Sequence, residues 1–189
     1  MTSPNIEVLK EQELRQLVAF SRTIETDPER LRKLMEAIGE SGGYTCYIVW
    51  LINRPFEELP DAYKQVEREL YLLGRNYNDV HITILDYTKY PTVVADLMKA
   101  LDIDSLPVLI ISPEPIDLKK PKRESTIIIK GGALGRLARH GKLQEFISNI
   151  PIWARLGVLK DKVRWEAEVK VLLREIYDQI KNLISINIP

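Results

Sequence analysis

Few side chains of this sequence have the types and spacing that catalysis or metal binding requires. The chain contains one cysteine, Cys46, and two histidines, His81 and His140, which are distant from one another in the sequence. A zinc site needs several such ligands together, and dithiol–disulfide exchange needs a second thiol. Because Cys46 lies in an apolar segment between Thr45 and Tyr47, it is typical of a small buried side chain. We expect no metal, no cofactor and no enzymatic activity; the alternative is a single-thiol redox enzyme that uses Cys46.

A second group that could bind a ligand is a set of basic residues around Gly131 and Gly132. We expect these residues in a loop that enters the last core helix, where free N–H groups and the helix dipole favour anions. Few aromatic side chains for base stacking accompany them, so a solvated basic loop is the simpler interpretation. Anion or nucleic-acid binding through the basic loops is the alternative. The candidate cations are Lys130, Arg136, Arg139 and Lys142.

Composition narrows the class of protein. The chain has 189 residues, of which 45% are hydrophobic, and this suits one domain with additions. Its 27 Lys and Arg residues balance 27 Asp and Glu residues, so it lacks the overall field of a nucleic-acid-binding protein. The first residues do not resemble a secretory signal, and no apolar run approaches the roughly 18 residues of a membrane span. We expect a cytoplasmic protein with no membrane association.

Hydrophobic periodicity predicts alternating strands and helices in the middle of the chain. Residues 44–52 are apolar, β-branched and aromatic, as expected for a central strand that is covered on both faces. Further along the chain, apolar residues recur every two residues in some segments and every three or four in others. The first spacing predicts strands and the second predicts amphipathic helices. The order is βαβαββα. The elements after the first strand are a helix at 59–77, a strand at 80–85, a helix near 91–101, strands at 107–111 and 125–129, and a helix beginning at 143.

Helical extensions flank this region. Residues 1–42 contain two amphipathic patterns and are predicted to form an N-terminal helical pair. After a connector at 151–157, a long helix is predicted over 159–184. We favour packing of its apolar stripe on the chain's own domain, and a homodimer through this C-terminal helix is the alternative. The stripe consists of Val163, Val169, Leu172, Leu173, Ile176, Ile180 and Leu183.

Residues 43–150 resemble the thioredoxin family in element order and at particular prolines. Pro107, at the head of an apolar strand, resembles the cis-proline of that family, and Pro60 resembles the proline that kinks the helix after its active site. By that register the redox motif falls on residues 52–55, where no cysteine stands. The resemblance implies an α/β, thioredoxin-like βαβαββα core with a mixed four-stranded sheet. The N-terminal helical pair occupies 1–42 and the C-terminal helical extension occupies 151–189.

The resemblance also implies a place for a partner to bind. In this family, the loop after the first strand and the proline loop meet at one end of the sheet and form an apolar groove. The expected function is therefore that of a redox-inactive, thioredoxin-like protein–protein interaction module that serves as an adaptor, chaperone-like factor or regulator. Its partner is a protein. The predicted binding residues are Asn53, Arg54, Pro55, Phe56, Leu106 and Pro107.

Overall fold

The computed structural model describes residues 43–186, which form a mixed α/β fold. The predicted N-terminal helical pair lies outside the described residues. The elements in chain order are β1 (Cys46–Ile52), a 3₁₀ turn (Phe56–Glu58), α1 (Asp61–Asn76), β2 (Val80–Asp86), α2 (Pro91–Leu101), β3 (Val108–Ser112), β4 (Ile127–Lys130), α3 (Gly131–Arg139), α4 (Leu143–Arg155), α5 (Leu159–Arg164), a π-helical turn (Trp165–Lys170) and α6 (Val171–Ile186).

The sheet has four strands in the order β2-β1-β3-β4, and its pairing is mixed. β1 pairs in parallel with β2 and antiparallel with β3, and β3 pairs antiparallel with β4. All seven residues of β1 are buried, because neighbouring strands flank it and helices cover both faces of the sheet. The prediction of a mixed four-stranded sheet around an apolar first strand is confirmed.

Two apolar clusters lie on opposite faces of this sheet, because successive side chains of a strand point to opposite faces. On one face, Trp50 belongs to the cluster that includes Leu70 of α1 and Phe146 of α4. On the other face, Val49 belongs to the cluster that includes Val94 of α2. The sheet is therefore held from both sides, and its ends are free to carry loops.

The segment after β4 differs from the prediction, because residues 131–139 form helix α3 and no loop. The Gly131 N–H donates to the carbonyl oxygen of Pro107 over 2.9 Å, and the chain turns into a helix at that point. Leu134 and Leu137 then enter the core at helical spacing. Burial of these side chains outweighs the low helix propensity of the two glycines.

The predicted connector at 151–157 is also mostly helical, because α4 continues through Pro151 to Arg155. Proline inside a helix removes one backbone hydrogen bond and costs about 3 kcal/mol. That cost is offset by the burial of Ile150 and by Trp153, whose ring packs edge-to-face on Phe146 with centroids 5.7 Å apart. The helix ends at Arg155, and the chain then turns at Gly157, where φ is +68°.

The C-terminal segment is helical as predicted, although a π-helical turn interrupts it. Leu159 and Val163 of α5 are buried against the core. Of the predicted stripe, Val163 packs on the described part of the chain, whereas Leu172, Ile176 and Ile180 of α6 are about half exposed there. Packing of these three residues against residues 1–42 stays a prediction. Within 43–186, no helix has both the length and the apolar character that crossing a bilayer requires.

Candidate functional site

The sheet brings the predicted binding residues to one end of β1. Leu51 of β1 lies opposite Val108 of β3, so the residues that follow β1 and those that precede β3 are neighbours. Asn53 and Arg54 are exposed, and Leu106 is partly buried. The predicted meeting of these two loops is therefore observed.

A tight turn carries the chain from β1 into α1. The Glu58 N–H donates to the carbonyl oxygen of Pro55 over 3.0 Å, which closes the 3₁₀ turn that begins at Phe56. Pro60 is the N-cap of α1, and its carbonyl accepts the Tyr63 N–H at 2.9 Å. Pro60 therefore precedes the helix and does not lie inside it. A proline is well suited to this position because no intrahelical bond needs its missing N–H.

The proline loop is held by a close backbone contact with α3. The Leu106–Pro107 peptide bond is cis, in agreement with the expectation for this proline. A Cβ atom built on Gly131 would lie 2.8 Å from the Pro107 carbonyl oxygen and 2.9 Å from its Cγ. Since real Cβ atoms do not approach so closely, the contact requires glycine at this position.

Tyr87 is an aromatic residue at this end of the sheet that the sequence analysis did not identify. Its N–H donates to the carbonyl oxygen of Ile52 over 2.9 Å, and its side chain is 42% exposed. The turn that contains Tyr87 is fixed by Asp86, whose buried carboxylate accepts the Thr88 N–H at 2.9 Å and the Thr88 hydroxyl at 2.7 Å. The sequence could have indicated Tyr87, because it directly follows the second predicted strand, and the C-terminal ends of parallel strands lie at the same edge of a sheet as the loop after β1.

The charges around this end of the sheet are mixed. Within the described part of the chain, the Arg54 guanidinium has no ion pair, and Glu57 and Glu58 stand nearby on the 3₁₀ turn. Lys130 is paired with Asp104 at 3.0 Å. Hydrogen bonds from Lys130 and Ser105 hold the pKa of Asp104 below its ordinary value. We define the binding surface as the end of the sheet that carries Arg54, Phe56, Tyr87, Leu106 and Pro107. Phe56 packs on the cluster of Trp50 and Leu106 on the cluster of Val49, so the two side chains lie towards opposite faces of the sheet, and Pro107 is buried.

Cys46 lies at the other end of β1 from this binding surface. Ile52 is six residue steps along the strand from Cys46, a distance of roughly 20 Å. Its side chain is fully buried, and burial, with a smaller contribution from Asp79, raises the pKa of the thiol to about 12. The reactive thiolate is therefore not populated at neutral pH, and the geometry gives no support to the single-thiol redox alternative.

The four predicted anion-binding cations do not form one cluster. Lys130 pairs with Asp104 at 3.0 Å, Arg139 with Glu175 at 3.4 Å and Lys142 with Glu145 at 2.8 Å. Arg136 lies on α3, and its buried Nε has no partner within the described residues. Three of the four cations are thus compensated by carboxylates, and each of these carboxylates belongs to a different part of the chain.

A separate small cleft lies where α3 and α4 meet the π-helical turn and α6, and its volume is about 90 Å³. Phe146 and Trp153 contribute its aromatic wall. Lys170 is paired with Glu166 at 2.9 Å, whereas Arg174 has no ion pair with any described residue. Of the four predicted anion-binding cations, only Lys142 lines this cleft. The lining residues are too far apart in the sequence to form a recognisable motif.

The histidines and acidic residues of the described chain form no cluster that could hold a metal ion. His81 is buried on β2 beside Tyr44 and Tyr47, with ring centroids 5.5 Å and 5.9 Å away. Burial lowers the pKa of His81 to about 4, so the imidazole is neutral at physiological pH. His140 lies elsewhere, on the end of α3, with Nε2 3.5 Å from the Glu175 carboxylate.

Comparison with protein-family models and with curated proteins finds no match for this chain.

Proposed function

We propose that this chain is a thioredoxin-like, redox-inactive protein–protein interaction module that binds an extended segment of a partner protein at the binding surface. Support for the fold assignment comes from the β2-β1-β3-β4 sheet, the mixed pairing and the cis bond before Pro107. The absence of a second cysteine and the burial of Cys46 argue against disulfide exchange. Roles as an adaptor, chaperone-like factor or regulator all fit such a module.

One observation carries this proposal: the residues that follow β1, those that follow β2 and those that precede β3 lie at the same end of the sheet, and they include apolar and aromatic side chains and an unpaired guanidinium. Phe56 and Leu106 are half-buried, and Tyr87 is 42% exposed. Tyrosine and arginine are enriched among the residues that dominate binding energy at protein interfaces. The partner segment that fits this chemistry has an apolar side chain to pack on Leu106 and an acceptor group for Arg54.

The experiment is site-specific photocrosslinking with a matched control. Benzoylphenylalanine replaces Tyr87 in one variant and Tyr71 in another, because Tyr71 is an exposed tyrosine on α1, 60% accessible and outside the binding surface. Irradiation in the source cells is expected to yield a discrete adduct at position 87 and none of the same mass at position 71. With the purified partner, Tyr87→Ala and Arg54→Ala are expected to weaken binding at least about tenfold, and Tyr71→Ala to leave it unchanged.

Two outcomes would overturn the proposal. The first is a partner whose affinity is insensitive to Arg54, Tyr87 and Leu106 but falls on substitution of Tyr71. The second is reduction of insulin disulfides by the purified chain at a rate comparable to that of a dithiol enzyme, because this would require the exchange chemistry that one buried thiol does not support.

Binding of a small anion is a second candidate function, and the cleft beside α6 favours it. Its three cations, Lys142, Lys170 and Arg174, face two carboxylates, Glu145 and Glu166, so one positive charge is uncompensated. The volume of about 90 Å³ suits a small carboxylate and is far below the 300–1,000 Å³ of drug-sized sites. Benzoate titration followed by NMR is expected to shift the Trp153 indole signal in the wild type but not in Arg174→Gln; equal shifts in both would rule out this function.

A further inference from the structure

The C-terminal helical segment changes from buried to exposed at the π-helical turn. Leu159, Val163 and Ala167 are buried in one of the two core clusters. After this turn, from 172 to 181, every residue is exposed except Glu175, which is partly buried. Apolar burial therefore fixes the chain as far as Ala167, and the position of α6 depends on the contact that Glu175 makes.

Glu175 joins α6 to the end of α3 through polar contacts. The Arg139 Nη2 donates to the Glu175 Oε1 over 3.4 Å, and the His140 Nε2 lies 3.5 Å from the same oxygen. We call these three residues the Glu175 clasp. Both distances are long for charge-assisted hydrogen bonds, and the Arg139 side chain is 67% exposed. The clasp is therefore a weak contact, and α6 can leave the core at little cost in free energy.

The π-helical turn is placed to act as the hinge of such a movement. It interrupts the regular α-helical hydrogen bonding between α5, which packs on the core, and α6. Helices bend at turns of this kind, which are frequent at functional sites. Rotation about the turn would carry α6 as one unit and would separate Glu175 from α3.

The cleft of about 90 Å³ is lined by residues from both sides of this hinge. Lys142 is the N-cap of α4, and Phe146 and Trp153 of the same helix are anchored in the core. Arg174 comes from α6, one residue before Glu175. Movement of α6 therefore opens the cleft, and a ligand that contacts both sides stabilises the closed position.

We propose that α6 is a lid on this cleft, hinged at the π-helical turn and held closed by the Glu175 clasp, and that anion binding and lid closure favour each other. An anion that contacts Arg174 on the lid and Lys142 on α4 draws the two together. By linkage, a clasp that keeps the lid closed raises the affinity for the anion. The coupling rests on the second candidate function, anion binding in the cleft, whereas the lid itself does not.

The first test needs no ligand. Hydrogen–deuterium exchange of the full chain is read by mass spectrometry on peptides from 171–181. Glu175→Gln removes the charge of the clasp, and Asp178→Asn is the matched control because it removes the same charge from an exposed position of the same helix. Loss of the clasp is expected to raise exchange in these peptides about threefold or more, and the control to exchange like the wild type. Peptides from α2, on the other face of the sheet, should exchange equally in all three proteins.

The second test measures the coupling with benzoate, followed at the Trp153 indole signal by NMR. Benzoate is expected to slow exchange of the 171–181 peptides in the wild type, and Glu175→Gln to weaken benzoate binding about threefold or more. Glu175 is not among the described residues that line the cleft, and loss of a nearby negative charge would by electrostatics alone favour an anion. Weaker binding would therefore report lid opening, and Asp178→Asn should not show it.

The outcomes separate the lid from the anion site. Equal exchange in Glu175→Gln and Asp178→Asn would show that the clasp does not hold α6 and would overturn the lid. Benzoate binding that is unchanged or tighter in Glu175→Gln would overturn the coupling and leave the anion site intact. A Trp153 signal that benzoate shifts in no variant would remove the anion site and the coupling with it, and the exchange comparison alone would then decide the lid.

Discussion

Adjacent glycines at the start of α3 are expected to respond oppositely to the same substitution. Gly131→Ala and Gly132→Ala each add one methyl group at neighbouring positions of one helix. At Gly131 the new Cβ would lie 2.8 Å from the Pro107 carbonyl oxygen, whereas at Gly132 its nearest neighbour is the Arg136 Nη1, 3.9 Å away. The first substitution therefore meets backbone, and the second meets open space.

The magnitudes follow from two opposing contributions. Alanine in place of glycine stabilises a helix by about 0.5–1 kcal/mol, and this gain applies to both variants. Forcing a methyl group into closely packed atoms costs about 1–3 kcal/mol, and only Gly131→Ala bears that cost. We expect Gly132→Ala to be more stable than the wild type by up to about 1 kcal/mol and Gly131→Ala to be less stable by about 1–2 kcal/mol.

The assay is denaturation in urea followed by circular dichroism, with the thermal midpoint as a second measure. The propensity gain cancels between the variants, so they differ by the cost of about 1–3 kcal/mol, which corresponds to roughly 2–12 °C in a chain of this size. Gly131→Ala is also expected to weaken partner binding at Leu106 and Pro107, since the proline loop must shift to admit the methyl group. Equal stability of the two variants would refute the reasoning, because it would mean that the Pro107 backbone can move away from α3 at no cost in free energy.

Three further predictions concern buried and paired side chains. Burial lowers the pKa of His81 from 6.5 to about 4, so below pH 6.5 the unfolded chain binds more protons than the folded chain, and the free energy of unfolding falls by up to about 3 kcal/mol as the pH drops to 4. In urea titrations at pH 7 and 4.5, His81→Phe should lose less stability between the two pH values than the wild type does. An equal loss in both proteins would exclude His81 as its source. Cys46 should react with Ellman's reagent at pH 8 only after denaturant is added, and rapid reaction of the native protein would contradict its burial. Burial raises the pKa of Asp79, but hydrogen bonds from Arg155 and Thr45 outweigh this effect and lower it, so the carboxylate stabilises the fold above pH 3.8 and less at lower pH. Asp79→Asn should be less stable than the wild type at pH 7 and equally stable near pH 2. A difference in stability that stays constant with pH would exclude the charge of Asp79 as the cause.

The helix and strand positions could be predicted where local pattern and final burial agree. The apolar residues of β1 are buried on both faces, and the amphipathic spacing of α1 and α2 matches the sides that they bury. The exclusion of a paired redox site needed only the count of one cysteine. The position of the residues after β1 beside those before β3 could be anticipated from the family resemblance, because it follows from the order of the strands.

The errors in prediction arose where a distant contact outweighed a local preference. Gly131 begins a helix because Pro107, from another part of the chain, accepts its N–H. Pro151 remains inside α4 because Trp153 and its neighbours are buried there. Tyr87 lies at the binding surface because its backbone N–H donates a hydrogen bond to the carbonyl oxygen of Ile52, and this contact is absent from the local sequence pattern.

By itself, the sequence determined the periodicity of each segment, the lack of a second thiol and the amphipathic character of the last helix, since these depend on residue type and spacing along the chain. Only the tertiary structure decided the direction of each apolar side. Leu159 and Leu172 carry the same side chain on one helical segment, yet the first is 5% exposed and the second 50% exposed. Leu159 packs on the core together with Val163 and Ala167, whereas Leu172 lies on a side of α6 that the described residues leave exposed, because the helical segment contacts the core along one side.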